Sequence, residues 1–390
     1  MIASRVLGCL FAWLPYSEGV LTFKIGIITF TIYTLGVLLL LPFVVIRALF
    51  FRKFFNVTGT DIAILLLCLT YLISTIFSTT LIASGYLAFH GIFIPVTSYL
   101  LAKSFIDSDQ NYHHTFRWMM FGNTLICFFA IADFLNHGLS ERVTVFSRDS
   151  IAIGTFALVS LAYLVFSGRY KSGVGLFLIL GNIGGLAASL SRGYIVLIAL
   201  TPILYRVVRR GWGLGLLLSF MLTTLAVTVV LTDQPELSKP EGKFSTQFEN
   251  SLERITNPDY WKMGLYSRLL TFRSSIRNFE ENPIFGTGLK TLVGTATTVH
   301  NVHLEWLEYG GFIGYGLFFS VFGLHFWSTA RFAKADPLVA ANLVIVLVIL
   351  LNGLTNGFMH GVMPYVAFIV MGFNEARARL ALSPPVEYAA

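Results

Sequence analysis

Apolar residues along this chain come in long unbroken runs, not in alternation. Stretches such as Val37–Val45, VLLLLPFVV, lack the apolar–polar period of two that a membrane β-strand requires. Runs of about 20 apolar residues cross the hydrocarbon as helices. By that measure the pattern predicts an all-α, polytopic integral membrane protein. About twelve spans are expected, at 5–21, 25–49, 59–78, 81–104, 112–134, 150–168, 173–190, 193–210, 213–232, 303–327, 338–354 and 357–374. One long polar interval, 233–300, interrupts them. Within it Gln247–Glu253 reads as polar helix, and Tyr266–Phe279 (YSRLLTFRSSIRNF) carries apolar residues at helical spacing. Asn282-Pro283 ends that helix and Gly286-Thr287-Gly288 makes a turn. The chain therefore divides into helices 1–9 over 1–232, a large helical loop over 233–300, helices 10–12 over 301–376 and a tail over 377–390. The segment Met1–Trp13, with Arg5, resembles a signal peptide. It has no small-residue cleavage site and runs into further apolar sequence, so it reads as the first membrane helix. No internal repeat is visible.

Composition agrees with this reading: 55% of residues are hydrophobic, 12% are charged and the mean hydropathy is +0.74. A soluble domain is about a quarter charged, so neither a soluble protein nor a soluble domain with one anchor fits. The net charge of +7 matters through its placement. Arg47, Arg52, Lys53, Lys103, Arg117, Arg169, Lys171, Arg206, Arg209, Arg210, Arg331 and Lys334 fall in one set of connections, with Arg5, Arg377 and Arg379 on the same side. The opposite short loops hold only Lys24, Arg142, Arg148 and Arg192. Excess Lys and Arg mark the cytoplasmic side. Both termini are therefore expected in the cytoplasm, while Arg192, the long loop and His300 face outward. Cys9, Cys68 and Cys127 are spaced for neither disulfides nor zinc and read as buried apolar residues. Asp107-Ser108-Asp109 reads as a solvated cytoplasmic loop.

Candidate chemistry collects on the outward side. Arg192, in Ser191-Arg192-Gly193, sits between two apolar runs, where an arginine is costly and marks function or a snorkelling side chain. Arg268 has the planar fork that suits phosphate, or is a solvated helix charge. Arg273 and Arg277 fit a basic face toward anionic headgroups. His300 stands at the mouth of a membrane helix, as a general base kept neutral by nearby arginines or as an interfacial histidine bonded to a carbonyl. Asn301 orients it or binds a sugar hydroxyl. His303 falls on the same helix face. No carboxylate or cysteine cluster completes a metal site, so no metal and no cofactor are expected. The glycines of Gly310-Gly311-Phe312-Ile313-Gly314-Tyr315-Gly316 read as small residues that let helices approach closely. Glu305 and Glu308 favour the helix start, and Glu308 is placed to brace an arginine.

In combination these motifs resemble the O-antigen ligase and polymerase superfamily of bacterial membrane glycosyltransferases. Ser191-Arg192-Gly193 is similar to the family's serine–arginine element. Ser267-Arg268 and Asn282-Pro283-Ile284-Phe285-Gly286-Thr287-Gly288 are similar to the arginine helix and turn of its large outward loop. His300-Asn301, nine residues and then Gly311-Phe312-Ile313-Gly314 fit its ligase pattern. The likeness covers about 185–320; the first half agrees only as a hydrophobic layout. It implies a metal-independent, GT-C-like enzyme of the bacterial inner membrane with a periplasmic active site. The implied donor is a glycan on undecaprenyl pyrophosphate. The implied acceptor is a sugar hydroxyl of lipid A-core in a ligase, or another lipid-linked glycan in an O-antigen or exopolysaccharide polymerase. His300, Arg192 and Arg268 would be catalytic, and Arg192, Arg268, Asn301 and His303 substrate-binding. A lipid-linked-glycan flippase is the rival of another class, though such proteins place charge at mid-membrane and often repeat their halves. A chemically inert partner of an envelope complex is a second rival, and it leaves the Arg192, Arg268 and His300 set unexplained.

Overall fold

The computed structural model describes residues 2–17, 22–25, 28–50, 56–76, 78, 81–137, 143–146, 148–189, 191–232, 258–288, 300–359 and 361–382. The chain is almost wholly helical. In order the helices are α1 (Ile2–Trp13), α2 (Ile32–Phe50), α3 (Gly59–Ile76), α4 (Leu81–Ala88), α5 (Ile94–Phe105), α6 (Asp109–His137), α7 (Ser150–Phe166), α8 (Gly173–Ser189), α9 (Arg192–Val207), α10 (Gly213–Thr232), α11 (Pro258–Glu281), α12 (Val302–Thr329), α13 (Pro337–Asn356) and α14 (Met363–Leu382). Among the described residues, five helical stretches are long and apolar enough to cross a membrane: Gly59–Ile76, Ser84–Phe105, Asp109–His137, Val302–Phe332 and Pro337–Leu354. Apolar but shorter are Ile32–Arg47, α7 and α8. The protein is thus built as a helical membrane protein, with α13 sealed in the middle of the bundle.

The first two expected spans are corrected. α1 stops at Trp13, where Leu14–Tyr16 tighten into a 3₁₀ turn around Pro15. Residues predicted to start the second helix form an antiparallel hairpin, β1 (Phe23–Ile25) with β2 (Ile28–Phe30), pairing Phe23 with Phe30 and Lys24 with Thr29. The segment is rich in Ile, Thr and Phe, which favour the pleated surface, and hydropathy alone does not separate it from helix. Cys9 is exposed on α1, whereas Cys127 is buried as expected. Gln247–Glu253 lies outside the described residues.

The basic connections meet at one end of the bundle. Arg47 pairs with Asp107 at 3.7 Å, and Arg377 binds Asp109 at 2.9 Å and Asp336 at 2.6 Å. Arg379 donates to the Ile106 carbonyl at 2.6 Å and Arg209 to that of Ala333 at 3.1 Å. Asp107 and Asp109 are thus held by arginines. Just inside, Lys103 and Asp61 form a buried ion pair at 2.5 Å. Beside it Glu375 accepts from Thr60 at 3.1 Å and Ser328 at 3.2 Å, tying α3, α12 and α14 together. The starts of α9 and α12 and the ends of α10 and α13 lie at the other end, with the candidate residues.

Candidate functional site

A broken helix builds the site. Gly311, with φ 59° and ψ −162°, sits in a backbone region open essentially to glycine and divides α12 into arms 302–310 and 312–329. Twelve residues of straight helix span about 18 Å, yet Trp306 stacks on Phe318 with ring centroids 3.8 Å apart. The first arm therefore folds back over the second. The break leaves backbone groups without intrahelical partners, and the turn after α11 satisfies four of them. Thr287 and Gly288 donate to the Glu308 and Tyr309 carbonyls at 2.8 and 3.2 Å. Phe312 and Ile313 donate to the Pro283 and Ile284 carbonyls at 2.8 and 3.2 Å. Gly286, at φ 70°, has no room for a Cβ: one would fall 2.6 Å from the Gly310 and Gly311 nitrogens. The Asn-Pro/Gly-x-Gly turn and the double glycine are thus two halves of one backbone joint. Close helix approach is also present, since the Gly310 and Gly314 Cα atoms face the Tyr71 side chain of α3.

From the first arm each polar side chain reaches a different neighbour. Asn301 caps α12, accepting from His303 N at 3.0 Å and Leu304 N at 3.2 Å, and donates to Thr228 of α10 at 3.1 Å. His303 is fully buried, with Nε2 on Thr224 at 2.7 Å, Nδ1 on the Tyr315 hydroxyl at 3.0 Å and its ring stacked on Phe319. Glu305, also fully buried, accepts from Phe358 N at 2.5 Å and Met359 N at 3.1 Å, fixing the turn between α13 and α14. Glu308 accepts from Ser275 at 2.6 Å and Asn278 at 2.7 Å on α11. Asn301→Ala removes the cap and should cost about 1 kcal/mol. A lower thermal midpoint in detergent is expected, with Asn301→Asp recovering most of it; an unchanged midpoint in the alanine variant would contradict the cap's role.

His300 stands immediately before that cap, half-buried. Its ring is bonded to the backbone of Asn356 at the end of α13, and it lies within the field of the Arg268 charge. A carbonyl only accepts, and Nδ1 has no hydrogen-bond partner among the described residues. The nitrogen turned to Asn356 is therefore assigned as Nε2–H, which leaves the Nδ1 lone pair free. Burial lowers the imidazole pKa below its usual 6.5, the Asn356 carbonyl acts the other way, and Arg268 lowers it again. The ring is held neutral, the form a base requires. Arg268 is exposed on α11. Arg192 is the first residue of α9; its side chain, like that of Ser267, lies outside the described residues. The head of α9 belongs to the same corner. A Cβ on Gly193 would lie 3.1 Å from Asn352 Oδ1, and Asn356 Nδ2 donates to that same oxygen at 2.9 Å. No protein-family model matches the chain, and no curated protein matches it in sequence.

The fold thus brings His300 and Arg268 together and sets the start of α9 beside them. Asn301 and His303 spend their polar atoms on holding the helix head. Sequence reasoning missed Asn352 and Asn356, the wall shared by α9 and His300. Their signal was present: two asparagines one helical turn apart in an otherwise apolar run, Val344–Leu354 and its continuation.

Proposed function

We propose that this chain is an inverting, metal-independent membrane glycosyltransferase of GT-C-like type, acting as an O-antigen ligase. It moves a glycan from undecaprenyl pyrophosphate to a sugar hydroxyl of lipid A-core. The observation that carries the reading is a histidine at a helix head near an exposed arginine, its pKa lowered and its Nδ1 buried without a hydrogen-bond partner among the described residues, so that the acceptor has to displace the side chains that cover it. On this reading that end faces the periplasm and the arginine-rich end faces the cytoplasm, in the bacterial inner membrane. His300 takes the proton of the acceptor hydroxyl through Nδ1. The oxygen attacks the anomeric carbon, the bond from that carbon to the pyrophosphate oxygen breaks, and lipid pyrophosphate leaves with the electron pair. Arg268 and Arg192 stabilise the charge that develops on it. Asn301 and His303 serve this chemistry by fixing the helix head, not by touching the glycan.

Arg192→Ala and Arg268→Ala are each expected to lower turnover by at least about a hundredfold, as loss of a charge-stabilising group does. Wild-type-like turnover in either folded variant would remove that arginine from the mechanism. Deleting the gene in its host tests the reaction itself, with surface lipopolysaccharide run on a silver-stained gel and the lipid-linked pool measured alongside. Bare lipid A-core with long polymer stranded on the carrier is the expected result. Core capped by a single repeat unit would make the protein a polymerase instead, and an unchanged ladder would exclude both.

A further inference from the structure

α11 and the first arm of α12 run side by side in one direction. Phe272 packs on Leu304, with Ile276 against them. Ser275 reaches the Leu304 carbonyl at 3.3 Å and the Glu308 carboxylate at 2.6 Å, and Phe279 meets Phe312 edge to face at 5.0 Å. Partners advance together along both helices, which is a parallel pairing. Carried back by one helical turn from the Phe272–Leu304 contact, α11 sets Arg268 at the level of the α12 head, which His300 and the extended Asn301 lead into. The backbone joint at 283–288 ties the far end of α11 to α12, and the rest of the interface is mostly apolar. Glu308 is its directional element: it is buried, and each of its two carboxylate oxygens takes a separate donor on α11, Ser275 and Asn278 at 2.7 Å. A slip of one turn displaces α11 by about 5.4 Å and moves Arg268 off the imidazole.

We infer that Glu308 is a positioning residue whose clasp of Ser275 and Asn278 fixes the register in which α11 presents Arg268 to His300. The inference rests on the proposed site for its catalytic consequence but not for its geometry, so two readouts separate them. The first needs no activity. In a chain whose three cysteines are replaced by alanine, Arg268→Cys and His300→Cys are joined by a short bifunctional maleimide. Glu308→Ala should lower the cross-linking yield at least about fivefold, and Glu308→Gln, which keeps one acceptor, should lower it less. Equal yields with and without Glu308 would overturn the inference, whatever the protein's reaction. If Glu308→Ala does not fold, Ser275→Ala with Asn278→Ala removes the clasp from the other side and is held to the same yields.

The second readout is the pH profile of transfer. Arg268 is the charged group on α11 whose field reaches His300. α13 offers the Asn356 carbonyl, α10 the hydroxyls of Thr224 and Thr228 near the same helix head, and α9 begins with Arg192. Arg268→Ala should move the acid limb upward, because a positive charge that disfavoured imidazolium is gone. Glu308→Ala should move it the same way, and the double variant should move it no further than Arg268→Ala alone. Additive shifts would overturn the coupling. An absence of any transfer by the unmodified protein would overturn the glycosyltransferase reading and leave the cross-linking result to judge the clasp.

Discussion

Purified His300→Ala protein is expected to transfer glycan at least about a hundredfold more slowly than the unmodified protein, the usual contribution of a positioned general base. Its fold should survive. The ring is half-buried, and among the described residues its Nδ1 has no partner to strand and the Asn356 backbone is the hydrogen bond it gives up. A melting midpoint close to wild type should therefore accompany the loss of turnover. His300→Gln presents an amide in place of the ring but carries no basic nitrogen, so it should be as inactive as alanine. The pH profile adds a second constraint. A base works unprotonated, and burial together with Arg268 lowers this imidazole's pKa below 6.5. Activity should therefore hold through neutral pH and fall only on an acid limb lying below 6.5. Turnover within a few-fold of wild type in folded His300→Ala, or an acid limb above neutrality, would take His300 out of the role of base.

Much of this was readable in the chain, and the unread parts have physical causes. The helix over Tyr266–Phe279, its stop at Asn282-Pro283 and the turn at Gly286 follow from apolar period and from proline and glycine, which act locally. The gathering of Arg47, Arg209, Arg377 and Arg379 at one end follows from helix parity, since each is anchored by an acid or a carbonyl there. The break at Gly311 was not legible, because an apolar glycine run signals close packing and a positive φ equally well. Here it does both, at adjacent residues. The capping role of Asn301 had a local signal that was not used: an asparagine directly before a helix is a cap by default. Glu305 had no such signal, because its partners, the Phe358 and Met359 amides, lie more than fifty residues away and meet it only in the folded bundle. Asn352 had a signal of its own, but its meeting with Gly193 likewise exists only in the folded bundle. Pairing α11 in parallel with the first arm, the arrangement that brings Arg268 to His300, depends on the joint at 282–288, which no periodicity encodes.

That joint makes Gly311 a sensitive structural position beside the candidate site. Gly311→Ala is expected to cost more than about 3 kcal/mol. A non-glycine residue at φ 59° and ψ −162° is strained by about 1–3 kcal/mol on its own. The added methyl is also driven into the Ile284 carbonyl and to 2.6 Å from Gly286 N, which are backbone atoms that cannot rotate away. Relief requires the turn to lift off, and the four hydrogen bonds from Thr287, Gly288, Phe312 and Ile313 go with it, each worth about 0.5–1.5 kcal/mol. The alternative relief, a straight helix through 311, would place His300 about 16 Å beyond Gly311 along the axis, on the far side from its folded-back position and away from Asn356 and the head of α9. Either route abolishes the site, so transfer should be lost together with stability. Gly316→Ala is the matched control: the same substitution on the same helix, with nothing within 4 Å of the new Cβ. It should leave the thermal midpoint unchanged or slightly raised, since alanine is the better helix former. Thermal unfolding of both variants in one detergent decides the matter. A Gly311→Ala midpoint within a degree or two of Gly316→Ala would mean that the break is not required, and with it would fall the account of how His300 reaches its place.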